Sequence, residues 1–451
     1  MQSQRGLGRQ LEEFRPDEEY ARKLDEQDQL AAYRERFRFP KTPDGQPVIY
    51  FCGNSLGLQP NAVRAAVEQE LDDWAALAVD AHFKGKTPWY SYHEVLREPA
   101  ARLVGALPHE VVMMNGLTVN LHLMMTTFYR PSRDRYNILM EDGAFPSDTY
   151  AVRTQIALHG FDPADALLIA RPREGEHTLR EEDIVALIER EGPRIALVLF
   201  GGVNYYTGQV FDMPRIAEAA RRTGCTVGFD LAHAAGNVEL SLHDWNVDFA
   251  VWCTYKYLNG GPGAVAGCFI HERHARNPSL PRFGGWWGND PTTRFRMHLE
   301  PQFKPVPSAD GWQLSNPPIL SMSAVRASLA IFDEVGMSAL RAKSRCLTGY
   351  LQYLLDLPHG KGSEAALETS GEREYEVATP RDPAARGCQL SILVRDRPQE
   401  LFQTLLSSGV VCDFRASDMI RVAPVPLYNT YHEVWRFAEV LRAHMTCERA
   451  R

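Results

Sequence analysis

The sequence has no C-x-x-C pair, no stripe of lysine and arginine, no apolar run of about 18 residues and no internal repeat. Each absence excludes a class. The eight cysteines (Cys52, Cys225, Cys253, Cys268, Cys346, Cys388, Cys412 and Cys447) are scattered, several inside apolar runs. They read as reduced core residues, not as a disulfide framework or a zinc site. His271 and His274 lack H-E-x-x-H spacing, and no other His or Cys cluster shows ligand spacing, so no catalytic metal is expected. The 49 basic residues are outnumbered by 57 acidic ones, a net charge of −8, which argues against nucleic acid as a partner. Residues 1–16 are polar, without the apolar centre of a secretory signal, and the expectation is a soluble, cytoplasmic protein with no membrane contact.

What is present is ordinary for a globular protein: 44% hydrophobic residues, 24% charged, 33 Gly and 29 Pro over 451 residues. Such a chain can bury a large core without disulfides, in two or three lobes. Apolar residues at helical spacing over 60–79 predict a helix. Short apolar runs then alternate with amphipathic segments. The spacing predicts strands over 111–114, 137–140, 166–170, 195–203, 226–229, 249–253 and 264–270, and helices over 117–128, 147–158, 180–190 and 213–222. Most of the runs lack polar alternation, as strands covered on both faces do. The fold expected is α/β, a mostly parallel seven-stranded sheet with helices on both faces.

Beyond residue 321 the pattern changes. Helices over 322–335 and 338–355 lead to a polar segment, 359–387, read as a connector or mobile insertion. Strands over 389–394, 410–414 and 419–425, with helices over 399–407 and 431–444, make a smaller α+β domain. The expected division is an N-terminal segment, 1–50, packing on the smaller domain; a large domain, 51–320; and the smaller C-terminal domain, 321–451.

The stretch V-G-F-D-L-A-H-A from Val227 and the stretch F-A-V-W-C-T-Y-K from Phe249 carry the most chemistry. Asp230 closes one buried run and Lys256, 26 residues on, closes the next. In parallel strands both polar tips emerge at the carboxyl edge, where α/β sheets bind ligands. A carboxylate and an amine so placed suit pyridoxal phosphate, the lysine joining the aldehyde and the aspartate pairing with the ring nitrogen. A buried structural ion pair satisfies the same spacing. Leu117 and Thr118 open a helix after Asn115–Gly116, an arrangement that either binds phosphate or simply caps the helix. Phe145 can stack on a flat ring or pack, and Ser147 and Asp148 can face a ligand or cap the next helix. G-P-G-A-V-A from Gly261 fits a loose dinucleotide fingerprint but runs into a strand, so a nicotinamide domain is not expected.

With these residues in view, the chain resembles the kynureninase family of fold-type-I pyridoxal-phosphate enzymes. The matching segments run from 51 to 429: F-C-G-N-S-L-G-L-Q-P from Phe51, N-G-L-T-V-N-L-H-L from Asn115, A-F-P-S-D from Ala144, N-Y-Y-T-G-Q from Asn204, the Asp230 and Lys256 segments, H-D-W-N-V-D-F-A from His243, G-W-W-G from Gly285, L-S-N-P-P-I-L from Leu314 and R-V-A-P-V-P-L-Y-N from Arg421.

The resemblance implies pyridoxal phosphate and hydrolysis of L-kynurenine or 3-hydroxykynurenine to the anthranilate and L-alanine, in tryptophan catabolism and NAD synthesis. It implies that Lys256 joins the cofactor, that Asp230 holds the ring nitrogen with His233 beside it, and that Tyr255 moves protons. Leu117, Thr118, Tyr255 and Asn316 belong to the implied cofactor site, with Trp286 of the partner subunit of a homodimer. Phe145, Pro146, Ser147 and Asp148 embrace the ring. Ser55, His82, Asn316 and Arg421 are the implied substrate residues, Arg421 holding the α-carboxylate bidentately. Polar His82, Ser55, Ser315 and Asn316 imply a preference for 3-hydroxykynurenine. Gly201 departs from the family pattern, standing where relatives often carry a hydroxyl. Rival readings are a class V aminotransferase, a cysteine desulfurase, for which Cys346 and Cys447 stay open as nucleophiles, and a cofactor-binding regulator without catalysis.

Overall fold

The computed structural model describes residues 14–358 and 374–449, with side chains to 446. Two compact units make up the chain: residues 62–205 with 210–337, and residues 1–61 with 206–209 and 338–451.

The larger unit is built on seven strands: β1 (Val111–Met113), β2 (Asn137–Glu141), β3 (Leu167–Ala170), β4 (Ile195–Gly201), β5 (Thr226–Asp230), β6 (Phe249–Trp252) and β7 (Gly267–Ile270). Their order in the sheet is β1-β7-β6-β5-β4-β2-β3. β7 is antiparallel to both neighbours, while the β6-β5-β4-β2-β3 run is parallel. The sheet is therefore mostly parallel, as the uninterrupted apolar runs predict. In β4, Ile195 to Phe200 are all buried. Where two strands approach closely one residue is glycine: a Cβ on Gly267 would stand 2.1 Å from the ring of Trp252, its register partner.

Helices of this unit include α2 (Ala62–Leu77), α3 (Leu117–Phe128), α4 (Pro146–Leu158), α5 (Glu181–Glu191), α6 (Met213–Arg222) and α7 (Ile319–Val335), following α1 (Glu18–Glu26) of the smaller unit. Asp212 caps α6 by accepting the Arg215 N–H at 3.2 Å, and a proline stands in the first turn. On one side of the sheet, Leu121, Met124 and Phe128 of α3 pack with Val152 and Ile156 of α4 on strand residues Ile138, Leu197, Leu199, Phe249 and Val251.

The smaller unit carries a four-stranded antiparallel sheet of β8 (Tyr375–Val377), β9 (Leu390–Val394), β10 (Asp413–Arg415) and β11 (Met419–Val422), ordered β8-β9-β11-β10. It packs with α8 (Met337–Asp356), α9 (Pro398–Ser407) and α10 (Tyr431–Arg449). The N-terminal segment joins this unit, Tyr20 and Leu24 of α1 packing on its core.

Several expectations differ from the structure. The run expected as one strand over 410–414 changes sheets at Cys412: Val410 and Val411 pair parallel with Ile49 and Tyr50, while Asp413 faces Arg421. An apolar run shows no such change of partner. The segment over 359–387 is not wholly a connector. Tyr375–Val377 is an edge strand and Arg386 is 2% exposed, while 359–373 lie outside the described residues. The domain boundaries fall at 61/62 and 337/338, because Phe51 donates its N–H to the Val411 carbonyl at 2.8 Å within the smaller unit and α7 packs on α2 in the larger. The last sheet strand begins at Gly267, since 261–264 form a turn closed by the Ala264 N–H on the Gly261 carbonyl.

Candidate active site

Parallel pairing brings Glu141, Gly201 and Asp230, the last residues of β2, β4 and β5, to one edge of the large sheet. The chain leaving β6 comes to the same edge. Lys256 does not close that strand, which ends at Trp252; it stands in a turn fixed by the Gly260 N–H on the Thr254 carbonyl at 2.8 Å and by Thr254 Oγ1 on the Val265 carbonyl at 2.7 Å.

A pocket at this edge is lined by Leu117, Thr118, Glu141, Phe145, Asp148, Gly201, Val203, Tyr205, Asp230, Ala232, His233, Tyr255 and Lys256. Lys256 Nζ lies 2.9 Å from His233 Nε2 and 5.7 Å from the centre of the Phe145 ring. Tyr205 meets Phe145 edge to face at 5.2 Å. Asp230, 8% exposed, accepts the Ala232 N–H at 2.7 Å and shares a hydrogen bond with Asp148.

Burial dominates the electrostatics. It pushes the Asp148 carboxyl well above the usual range, and the charge of Asp230 adds to the rise. Asp230 is also raised by burial, but the Asp148 hydrogen bond, the Ala232 N–H and Lys256 oppose the rise. Between the two, Asp148 carries the proton and Asp230 the charge. Burial pushes Glu141 up to about 7, against the Gly201 N–H that it accepts. Tyr255 is raised by burial and by the nearby thiol and carboxyl groups, so its hydroxyl stays protonated as a donor.

These residues fit pyridoxal phosphate. Asp230 is a buried acceptor for a ring N–H, Lys256 an amine directed into the same space, and Phe145 an aromatic face. At Gly116, the N-cap of α3, an added Cβ would meet nothing within 4 Å, which leaves room for phosphate beside the open N–H groups of the first turn.

Of the residues named from sequence, Leu117, Thr118, Phe145, Asp148, Asp230, His233, Tyr255 and Lys256 line this pocket. Ser147 stands just behind it, its Oγ 3.1 Å from Thr118 Oγ1. Pro146, His82, Trp286 and Asn316 are not in its lining. Pro146 opens α4. His82 donates from Nδ1 to the Val79 carbonyl at 3.0 Å and meets Trp89 edge to face. Trp286 is 39% exposed and Asn316 is exposed. Ser55 and Arg421 belong to the smaller unit. Ser55 is half-buried, and Arg421 is buried on β11 with its guanidinium on the Asp413 carboxylate.

Glu141, Val203 and Tyr205 were not named from sequence. Glu141 carried the signal that found Asp230, an acid ending an apolar run. Also unforeseen is the meeting of Glu110, His243 and His271, far apart in sequence. The buried Glu110 carboxylate accepts the Leu107 and Glu272 N–H groups, at 2.9 and 2.7 Å, and His243 Nδ1 at 3.0 Å. It ties three loops together.

Comparison with known proteins adds to this geometry. The family model described as Kynureninase C-terminal domain matches residues 340–441, and that described as Aminotransferase class-V matches 49–362. The chain is 56% identical over 432 residues to a kynureninase from Myxococcus xanthus, covering 96% of this chain and 98% of that one. It is 55% identical to one from Koribacter versatilis, covering 96% and 99%. Among solved structures, the cysteine desulfurase of Thermococcus onnurineus NA1 superposes with a TM-score of 0.69 at 17% identity over 89% of this chain and 95% of that one. A mutant C-DES with glycine covalently linked to its PLP cofactor gives 0.72 at 16% identity, over 90% and 98%. At such identity these two show the fold, fold type I.

Proposed function

This chain belongs to the kynureninase family, with pyridoxal phosphate as its cofactor, and from that premise we propose that it hydrolyses the bond between the β- and γ-carbons of L-kynurenine and 3-hydroxy-L-kynurenine. One water is consumed. Its hydroxyl goes to the γ-carbon, giving the carboxyl of anthranilate or 3-hydroxyanthranilate, and its proton replaces the broken bond on the β-carbon of L-alanine. The observation that carries the proposal is the pocket in which Lys256, His233 and the buried Asp230 converge within a family member.

When bound, pyridoxal phosphate supplies a carbonyl that condenses with an amine and a ring that withdraws electrons. The chain's own groups do the rest. Asp230 holds the ring nitrogen protonated, and Asp148, carrying a proton, keeps Asp230 directed. Leu117, Thr118 and the start of α3 bind phosphate. Lys256, once the substrate amine displaces it, is the base that takes the α-proton. Tyr255, protonated at neutral pH, donates to the departing β-carbon. In the smaller unit, Arg421 is proposed to receive the α-carboxylate.

Three finer points belong to the proposal. The 3-hydroxylated substrate is preferred, the polar side chains of Ser55, His82, Ser315 and Asn316 being of the kind that can bond a ring hydroxyl. A site built for that hydroxyl loses about 1–3 kcal/mol per unpaired group with the substrate lacking it. The protein acts as a homodimer in the cytoplasm, within tryptophan catabolism and NAD synthesis. Phe83, Phe295 and Trp286 are 60%, 56% and 39% exposed on one aromatic cluster, a surface suited to a second copy. Against a desulfurase, Cys346 lies within α8 and burial raises its thiol, whereas such a nucleophile needs an accessible thiolate on a mobile loop; Cys447 lies within α10.

Alanine release from the two substrates tests this reading. Release of alanine and anthranilate in equal amounts, with the higher kcat/KM for 3-hydroxykynurenine, is expected. No release from either contradicts the activity, and a higher kcat/KM for kynurenine contradicts the pocket assignment alone.

A further inference from the structure

Glu141 is the one carboxyl of the pocket for which the reaction just described has no task. It closes β2, 4% exposed, with Gly201 of β4 between it and Asp230 of β5 in the sheet. Both of its oxygens accept the Gly201 N–H, at 3.1 and 3.2 Å. A Cβ at position 201 would stand 2.8 Å from Oε1, closer than real contacts allow. The carboxyl thus stands where a side chain at position 201 would press on it, and the residue across that glycine is Asp230.

We propose that Glu141 is a positioning residue of the reaction centre, reaching through the gap at Gly201 to fix the end of β4 and to set the charge felt by Asp230 and, through it, by the cofactor. The inference rests on the cofactor assignment above. A carboxyl buried this deeply is little screened by water, so its protonation alters the field at neighbouring groups strongly. The ionisable groups lining the same pocket are Asp230 at the end of β5, Asp148 on α4, Lys256 and Tyr255 after β6, His233 in the loop after β5, and Tyr205 in the loop after β4. Among these, Asp230 is the charge that raises Glu141, and Glu141 in turn raises Asp148. With its midpoint near neutrality, Glu141 gains a charge as pH rises through about 7, adding a second anion beside Asp230. That anion favours every positively charged form of the Lys256 and cofactor nitrogens.

The test uses the holoenzyme without substrate. The visible absorbance of the bound cofactor is titrated with pH for the wild type, Glu141→Gln and Gly201→Ala. The glutamine keeps the shape and an acceptor for Gly201 but cannot ionise; the alanine keeps Glu141 and crowds its carboxyl. Removing the anion should lower the midpoint in Glu141→Gln by roughly half a pH unit or more. Gly201→Ala should move the midpoint as well. A role confined to holding the strand would lower stability and leave the midpoint in place. Variant titrations that superimpose on the wild type overturn the inference alone. A wild type with no visible cofactor band overturns the cofactor assignment and the inference together. If Glu141→Gln does not fold, the Gly201→Ala titration decides by the same criterion.

Discussion

Asp230 and Asp148 show how a single residue acquires its role from its surroundings. They share a hydrogen bond, both are buried, and only one can carry the charge. Asp230→Asn should therefore fold normally and lose most of its turnover, since a neutral amide cannot keep a ring nitrogen protonated. Near-normal kcat with unchanged cofactor absorbance would contradict that role. His93 gives a separate test by pH. Burial, reinforced by Arg97 and Arg294, pushes it down to about 3, so it is neutral in the folded state while unfolded histidine takes a proton near 6.5. The unfolded chain then binds more protons between these values, and stability present above pH 6.5 is lost as pH falls. Equilibrium urea unfolding of wild type and His93→Gln should show a shallower loss in the variant, by about 1.4 kcal/mol per pH unit below 6.5. Parallel curves would contradict it. At this scale the sequence was most legible where residue type restricts the chemistry: Asp230, Lys256, His233 and Tyr255 were named before the fold and converge in one pocket. It was least legible for Glu141, whose contact with Gly201 crosses between strands 60 residues apart.

The elements of the large sheet follow from their apolar runs. Buried parallel strands need no polar alternation, so uninterrupted runs such as Ile195 to Phe200 locate them, within a few residues at each end. Where a strand changed partner, as at Cys412, the pattern gave no sign, because both sheets accept the same apolar residues. Close approach of strands also has a measurable cost. Gly267 lies against the Trp252 indole, and Gly267→Ala would force a methyl group into that ring. The variant should lose roughly 1–3 kcal/mol or more, read as a fall in urea midpoint, with kcat per folded molecule unchanged. Wild-type stability would show that β6 and β7 are packed more loosely than described.

On the scale of the whole molecule, the proposed homodimer would cover the exposed cluster of Phe83, Trp286 and Phe295 with a second copy of the chain. Sedimentation should show a dimer, and Phe295→Asp should shift it toward monomer with loss of turnover. An active wild-type monomer at assay concentration would contradict this. The chemistry proposed for the molecule turns on one amine, that of Lys256, 2.9 Å from His233 in the pocket lined by the first residues of α3. Borohydride reduction of the holoenzyme followed by peptide mass spectrometry tests this directly. The pyridoxyl group is predicted on the peptide bearing Lys256 and on no other; its appearance on any other lysine would contradict the account.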